Sequence, residues 1–168
     1  MIAKEIQWVG PKGVWVKANC DGAASGYPGW SGSGIIFRDY EGLLGVLVKG
    51  LGIGRNYEAE VEAMVLAAEK AGEMGWDHLW LESDSLSAVQ EFNREVIPWV
   101  FKARWAKAKR KLVNIKISHV HREASFGADA AAKYGASMTE GEVRWSSVKP
   151  DFIGELEVPN KGYFRFPK

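Results

Sequence analysis

The hydrophobic pattern of this 168-residue chain changes period once, near residue 56, and that change restricts the possible folds severely. Before it, Val14, Val16, Ala18 and Cys20 alternate with Trp15, Lys17 and Asn19 over Gly13–Cys20, as in a strand, and the run ends at Asp21. A loop of small and turn-forming residues, Asp21–Gly32, leads to a second strand over Gly34–Arg38. Asp39-Tyr40-Glu41-Gly42 is a turn and Leu43–Lys49 a third strand, so the opening reads as an antiparallel meander. Gly50–Asn56 interrupts the pattern, and Tyr57–Gly75 has the composition of a helix.

Strand and helix then alternate. His78–Glu82 is a short buried strand, Ser83-Asp84-Ser85 supplies capping chemistry for a helix over Leu86–Asn93, and Pro98 suits the first turn of another. In that helix Phe101, Trp105, Ala108 and Leu112 recur at helical spacing. Ile115–Val120 is a fifth strand, followed by an alanine-rich helix, Ser125–Ser137, capped by Ser125. A meander followed by alternation predicts an α/β fold with a five-stranded mixed sheet and helices on both faces. The length suits one core. Residues 1–138 are expected to form it, and residues 139–168, with Pro150, Pro159 and Pro167, to drape over it as a tail.

The single cysteine, Cys20, excludes an intramolecular disulfide and a four-cysteine zinc site. Met1–Val9 carries Lys4, Glu5 and Gln7 with no continuous apolar run, so neither a secretory signal nor a membrane span is expected there, and the setting expected is intracellular, nuclear or cytoplasmic. Of the eight tryptophans, Trp8, Trp15, Trp76, Trp80 and Trp99 are expected in the core, and Trp30 and Trp105 at the surface. The net charge of +1 excludes binding of nucleic acid by sheer excess charge. It is a cancellation, however. Asn56–Phe101 is strongly acidic, whereas Lys102–Arg122 carries Lys102, Arg104, Lys107, Lys109, Arg110, Lys111, Lys116 and Arg122 with no acid among them.

Position separates the carboxylates. On the helix from Tyr57, residues Glu58, Glu62, Glu69 and Glu73 share one face, which reads as solvated. Glu60 points the other way, in line with Ala63, Met64, Ala67 and Ala71, and a carboxylate on that small apolar side needs a partner: a bound cation, or a buried Arg or Lys. Asp21 at a strand end is either a turn residue or part of a site. Asp84 is either an N-cap or a ligand, and Asp129 either complements a helix dipole or joins the same cluster. In an open α/β sheet these positions converge on one edge. Four carboxylates there would repel one another, and two Mg²⁺ ions satisfy them while clamping an in-line phosphoryl transfer.

The segments Lys17-Ala-Asn-Cys-Asp-Gly-Ala-Ala24, Gly34-Ile-Ile-Phe-Arg-Asp39, Ala59-Glu-Val-Glu-Ala63, Glu82-Ser-Asp-Ser85 and His119-Val-His-Arg-Glu123 leading to Ala128-Asp129 occur in this order and spacing. In this the chain resembles the ribonuclease H family, in particular the plant reverse-transcriptase-like branch of LINE-type retrotransposons and stand-alone plant genes. The Trp145–Phe166 segment is similar to the one that follows the domain in plant members.

The resemblance implies metal ligands at Asp21, Glu60, Asp84 and Asp129, with two Mg²⁺ ions or Mn²⁺ in their place. It implies an enzyme that hydrolyses the RNA strand of RNA/DNA hybrids, leaving 3′-hydroxyl and 5′-phosphate ends. His119 takes the place of the family's mobile histidine, with His121 as its local rival. His121 and Ser125 stand where plant members usually have Pro and Asn. Substrate contacts are expected from the backbone of Gly22, Ala23 and Ala24, from Asn56, and from Lys102, Trp105 and Lys109 in place of a separate basic handle. The partners implied are the hybrid and a reverse transcriptase linked in a longer polyprotein, with no membrane, and the chain itself is expected to be a monomer. The alternatives are a domesticated domain that binds without cutting, and another nuclease of the same superfamily.

Overall fold

The central strand of the sheet is β2 (Val16–Ala24). In this computed structural model, which describes residues 2–166, β2 pairs antiparallel with β3 (Gly29–Asp39) and parallel with β5 (His78–Ser83). Beyond β3 lies β4 (Gly42–Gly54), and beyond β5 lies β6 (Asn114–His119). Four helices follow the alternation: α1 (Asn56–Met74), α2 (Leu86–Asn93), α3 (Trp99–Lys109) and α4 (Phe126–Ala136).

Alternation along β2 divides its side chains between two faces. Val16, Ala18 and Cys20 pack with Ile35, Phe37, Leu79 and Leu81 against Val61, Met64 and Ala67 of α1. Lys17, Asn19 and Asp21 point to the opposite face, where Ile36, Val46 and Val48 pack against Ala131 of α4. Burying a side chain such as Phe37 or Ile36 stabilises the fold by ~1.5–3 kcal/mol.

The meander strands run further than their apolar patterns, because glycine here serves packing instead of turning. A Cβ on Gly22 would lie 2.2 Å from the backbone nitrogen of Glu60, and one on Gly34 would lie 2.4 Å from that of Ala132. Those positions are where α1 and α4 press backbone to backbone on the sheet. The segment read as the Asp21–Gly32 loop is therefore mostly strand, and Asp21 lies within β2, not at its end.

A sixth strand joins the expected five. β7 (Val143–Ser146) pairs antiparallel with β4, giving the order β6-β5-β2-β3-β4-β7. A separate two-stranded sheet joins β1 (Lys4–Gln7) to β8 (Gly162–Arg165). These four-residue strands are half exposed and pair with residues far away in sequence, so no local pattern announces them.

Trp105 and Trp99 differ most from expectation, and Trp15, Trp76 and Trp80, expected in the core, are only partly buried. Trp105 is 3% exposed, packed edge-on against Phe92 with ring centroids 4.9 Å apart, and Trp99 lies exposed in the first turn of α3. The stripe Phe101, Trp105, Ala108 is the apolar face of α3, and it must turn inward because lysines and arginines occupy the others. Glu62 differs likewise. Its side of α1 is covered by α3, and it is buried between Lys49 Nζ at 3.1 Å and Arg104 Nη1 at 2.6 Å.

On the face opposite α1, Lys17 is fully buried. Its Nζ donates to the Val9 carbonyl at 2.6 Å, pairs with Glu82 Oε1 at 2.9 Å, and lies over the rings of Trp8 and Trp80. Asn19 Nδ2 and Ser118 Oγ also donate to Glu82. Beside this group Arg38 pairs with buried Glu157 at 2.9 Å, so a residue of the expected tail anchors the polar layer.

Candidate active site

Asp21 within β2, Glu60 on α1 and Asp84 just after β5 meet where the pairing of β2 with β5 ends. Each offers one carboxylate oxygen, and these oxygens all lie within 4.8 Å of one another. Asp21 is held by the ladder of β2, and its Oδ1 accepts from the Gly22 N–H at 2.9 Å. Glu60 arrives because Gly22 lets α1 touch the sheet at that residue. Asp84 follows β5. Capping of α2 falls to Ser85, whose Oγ accepts from Ala88 N at 3.3 Å, so the Asp84 carboxylate is free of that task.

Asp129 stands in the first turn of α4. Its carboxylate pairs with Lys133 at 2.9 Å, yet its charge reaches Asp21 and Asp84. His119 ends β6, with its ring edge-on to His121 and the centroids 5.1 Å apart. A cleft of about 630 Å³ is lined by Glu60, Asp84, His119 and His121, with Arg122 and Arg165 among the other walls. Asn56 opens α1 one turn before Glu60, its Nδ2 3.5 Å from Glu60 Oε1.

All three clustered carboxyls hold their protons more tightly than usual. Burial is the first cause for each. For Asp21 the charges of Asp84, Glu60 and Asp129 add to it, and a proton shared with Asp21 partly relieves Asp84. Glu60 is pushed from 4.5 up to about 7 by burial, reinforced by Asp84 and partly relieved by a hydrogen bond from Ser85 and by the charge of Arg122.

This has a sign. Between pH 4.5 and about 7 the folded chain keeps a proton on Glu60 that the unfolded chain has lost, so stability falls as pH rises through that window. At ~1.4 kcal/mol per tenfold change in proton affinity, the full loss for Glu60 alone is at most about 3.5 kcal/mol. Thermal melts in EDTA should therefore show a falling Tm from pH 5 to 8, and millimolar Mg²⁺ should raise Tm more at pH 8 than at pH 5. A Tm independent of both would mean that the cluster is already neutralised from within.

Several expected substrate contacts lie elsewhere. Trp105 is in the core and offers no ring to a base. Lys109 pairs with Glu95 at 2.8 Å, and Arg104 is occupied by Glu62 and Glu69. Lys102 is exposed, but α3 packs along α1 and contributes nothing to the lining of the cleft. The Gly22 N–H is taken by Asp21, whereas Ala23 and Ala24 at the end of β2 are partly open. Arg165 and Phe166 at the cleft, by contrast, carry no sequence signal, since pairing of β8 with β1 brings them there.

The segments that build this site coincide with a known family. Residues 19–135 match the family described as Reverse transcriptase-like. The chain belongs to that family. Over 160 residues it is 31% identical to an Arabidopsis thaliana protein named "Putative ribonuclease H protein", an alignment covering 92% of this chain and 26% of the relative. The chain thus spans about a quarter of that relative's length. Its fold is the ribonuclease H fold. RNase H1 from the archaeon Halobacterium salinarum superposes with a TM-score of 0.67 at 25% identity, over 73% of this chain and 98% of that one. LC11-RNase H1, solved in complex with an RNA/DNA hybrid, gives 0.63 at 25% identity, over 73% and 96%. The family match ends before β7 and β8, so both strands lie outside the shared segment.

Proposed function

We propose that this domain is a Mg²⁺-dependent endoribonuclease that hydrolyses the RNA strand of RNA/DNA hybrids. The observation that carries the reading is the cluster of Asp21, Glu60 and Asp84, with oxygens within 4.8 Å and no lysine or arginine ion-paired to any of them among the described residues. A structural cluster of buried carboxylates brings its own cations; Glu62, held by Lys49 and Arg104, is the example in this same helix. The catalytic cluster instead leaves its charge uncompensated, at a cost that an incoming cation relieves.

An all-carboxylate donor set of hard oxygens fits Mg²⁺, with Mn²⁺ as a substitute. Asp21, Glu60 and Asp84 would hold one ion, and Asp129 would help hold a second. When bound, the ions supply Lewis-acid polarisation of the phosphate and a more acidic water. The reaction adds water across the P–O3′ bond: the water oxygen ends on phosphorus as part of a 5′-phosphate, and a proton goes to the departing 3′ oxygen. The chain's residues contribute position and proton traffic. Asp21 within β2 and Asp84 just after β5 define where the phosphate sits. His119 stands on the wall of the same cleft, where an imidazole can carry a proton to or from a reacting oxygen. Asn56, one turn before Glu60, and the partly open backbone of Ala23 and Ala24 are the groups assigned to the 2′-hydroxyl that distinguishes RNA from DNA. Contacts that go mainly to phosphates predict little sequence preference. The family's description supports a setting in which the domain is joined to a reverse transcriptase.

A substrate panel tests the reading. Labelled hybrid, duplex RNA, duplex DNA and single-stranded RNA are incubated with Mg²⁺, and internal cuts are expected in the RNA of the hybrid alone. Cleavage of DNA would point to another nuclease of the superfamily, and hybrid binding without cleavage to a silent binding domain.

A further inference from the structure

Arg165 at the end of β8, with Phe166 after it, lines the cleft beside Glu60 and Asp84, and its placement follows from the packing of the β1–β8 pair. In its register Ile6 faces Tyr163 and Lys4 faces Arg165, so these four side chains share one side of the two-stranded sheet. Ile6 and Tyr163 pack that side onto Val120 and Ala124, and Tyr163 meets Phe126 edge-on, with ring centroids 5.4 Å apart. The next pair along the same side is Lys4 and Arg165, and of the two Arg165 reaches the lining of the cleft that contains Glu60 and Asp84.

We propose that Arg165 grips a backbone phosphate of the RNA strand, making β1–β8 a substrate-binding wall added to the catalytic domain from outside the segment shared by the family. The inference rests on the hybrid-cleavage reading. Among the described residues Arg165 has one ion-pair partner, Glu123, at 3.3 Å, with its side chain 46% exposed. A guanidinium has five N–H donors, so most of them remain for a phosphate. The arginine is no inhibitory plug, because none of the ion pairs among the described residues joins it to Asp21, Glu60, Asp84 or Asp129. Lys4 and Arg122 add positive charge on the same side, and their neighbour His121 is held below its ordinary proton affinity by slight burial, Arg165, His119 and Lys4. A cationic rim beside an anionic centre is what a polyanion crossing that centre needs: the carboxylates take the cations of the reaction, and the rim takes the flanking phosphates.

The test uses the full chain and a fluorescein-labelled RNA/DNA hybrid, with anisotropy in EDTA for binding and steady-state cleavage in Mg²⁺. Arg165→Ala is expected to raise Kd and KM about fivefold, leave kcat within about twofold, and lower the slope of log K against log salt by about one. Arg165→Lys should retain most of the affinity. Glu123→Gln, which frees the arginine from its competing carboxylate, should bind the hybrid about twofold tighter by the same phosphate-contact reasoning. Unchanged binding by Arg165→Ala in a chain that still cuts overturns this inference alone. Weakening by Glu123→Gln as large as that by Arg165→Ala also overturns it, because the ion pair would then merely hold the strand in place. An unmutated chain that neither binds nor cuts the hybrid overturns the ribonuclease reading itself, and this inference with it.

Discussion

Asp21→Asn is expected to lower Mg²⁺-dependent hybrid cleavage by ~1000-fold or more, about 4 kcal/mol of transition-state stabilisation, and to raise the melting temperature of the metal-free protein. The two effects share one cause. Asp21 is buried and faces Asp84, Glu60 and Asp129, so its charge is unfavourable until cations arrive. Asparagine keeps the shape and leaves an oxygen to accept the Gly22 N–H, while removing the charge from the cluster. A gain of ~1–3 kcal/mol in EDTA is reasonable for relieving such a site, and Mg²⁺ should stabilise the variant less than the unmutated chain. Melting curves with and without Mg²⁺, read beside single-turnover cleavage, check both halves. A variant that melts lower in EDTA would mean that Asp21 serves the fold, not the chemistry.

The second large effect lies in the polar layer on the same sheet. Glu82→Ala is expected to cost about 3–5 kcal/mol, because it strands a buried ammonium. Lys17 is fully buried, and Glu82 is its only carboxylate ion-pair partner among the described residues. The same substitution takes an acceptor from Asn19 and Ser118. Burial already holds Lys17 below its ordinary proton affinity, with Glu82 as the chief compensation. Without it the folded chain sheds the lysine proton more readily than the unfolded chain, so the variant should regain stability as pH rises toward 10. The double variant Lys17→Met, Glu82→Leu should recover most of the loss, since an apolar pair of similar size carries no desolvation penalty. Urea titrations of the three proteins measure this. Equal stability of Glu82→Ala and the unmutated chain would contradict the burial assigned to Lys17.

What was legible in the sequence follows from what is local. Periodicity located the meander and the helices, because alternation and the 3.6-residue stripe are properties of neighbouring residues. Glu60 could be separated from Glu58 because the helix turns them to different faces. Glu62 could not be read correctly, since its face of α1 meets α3, and Arg104 lies 42 residues away. The basic residues around Trp105 suggest a surface position, yet they leave its stripe as the one side α3 can bury. Gly22 in β2 and Gly32 in β3 read as loop because their reason, contact with a helix backbone, lies outside the strand. Arg165 had no signal at all. It reaches the cleft through the pairing of Lys4–Gln7 with Gly162–Arg165, across nearly the whole chain.

The most direct test of the central claim is end-group analysis of hybrid cleavage across a Mg²⁺ titration. The account predicts internal cuts in the RNA strand with 5′-phosphate and 3′-hydroxyl ends, absent in EDTA and in Asp21→Asn. Cutting that persists in EDTA, or products ending in 2′,3′-cyclic phosphate, would contradict it, because the RNA's own 2′-hydroxyl would then be the nucleophile and the carboxylate cluster would have no part in the reaction.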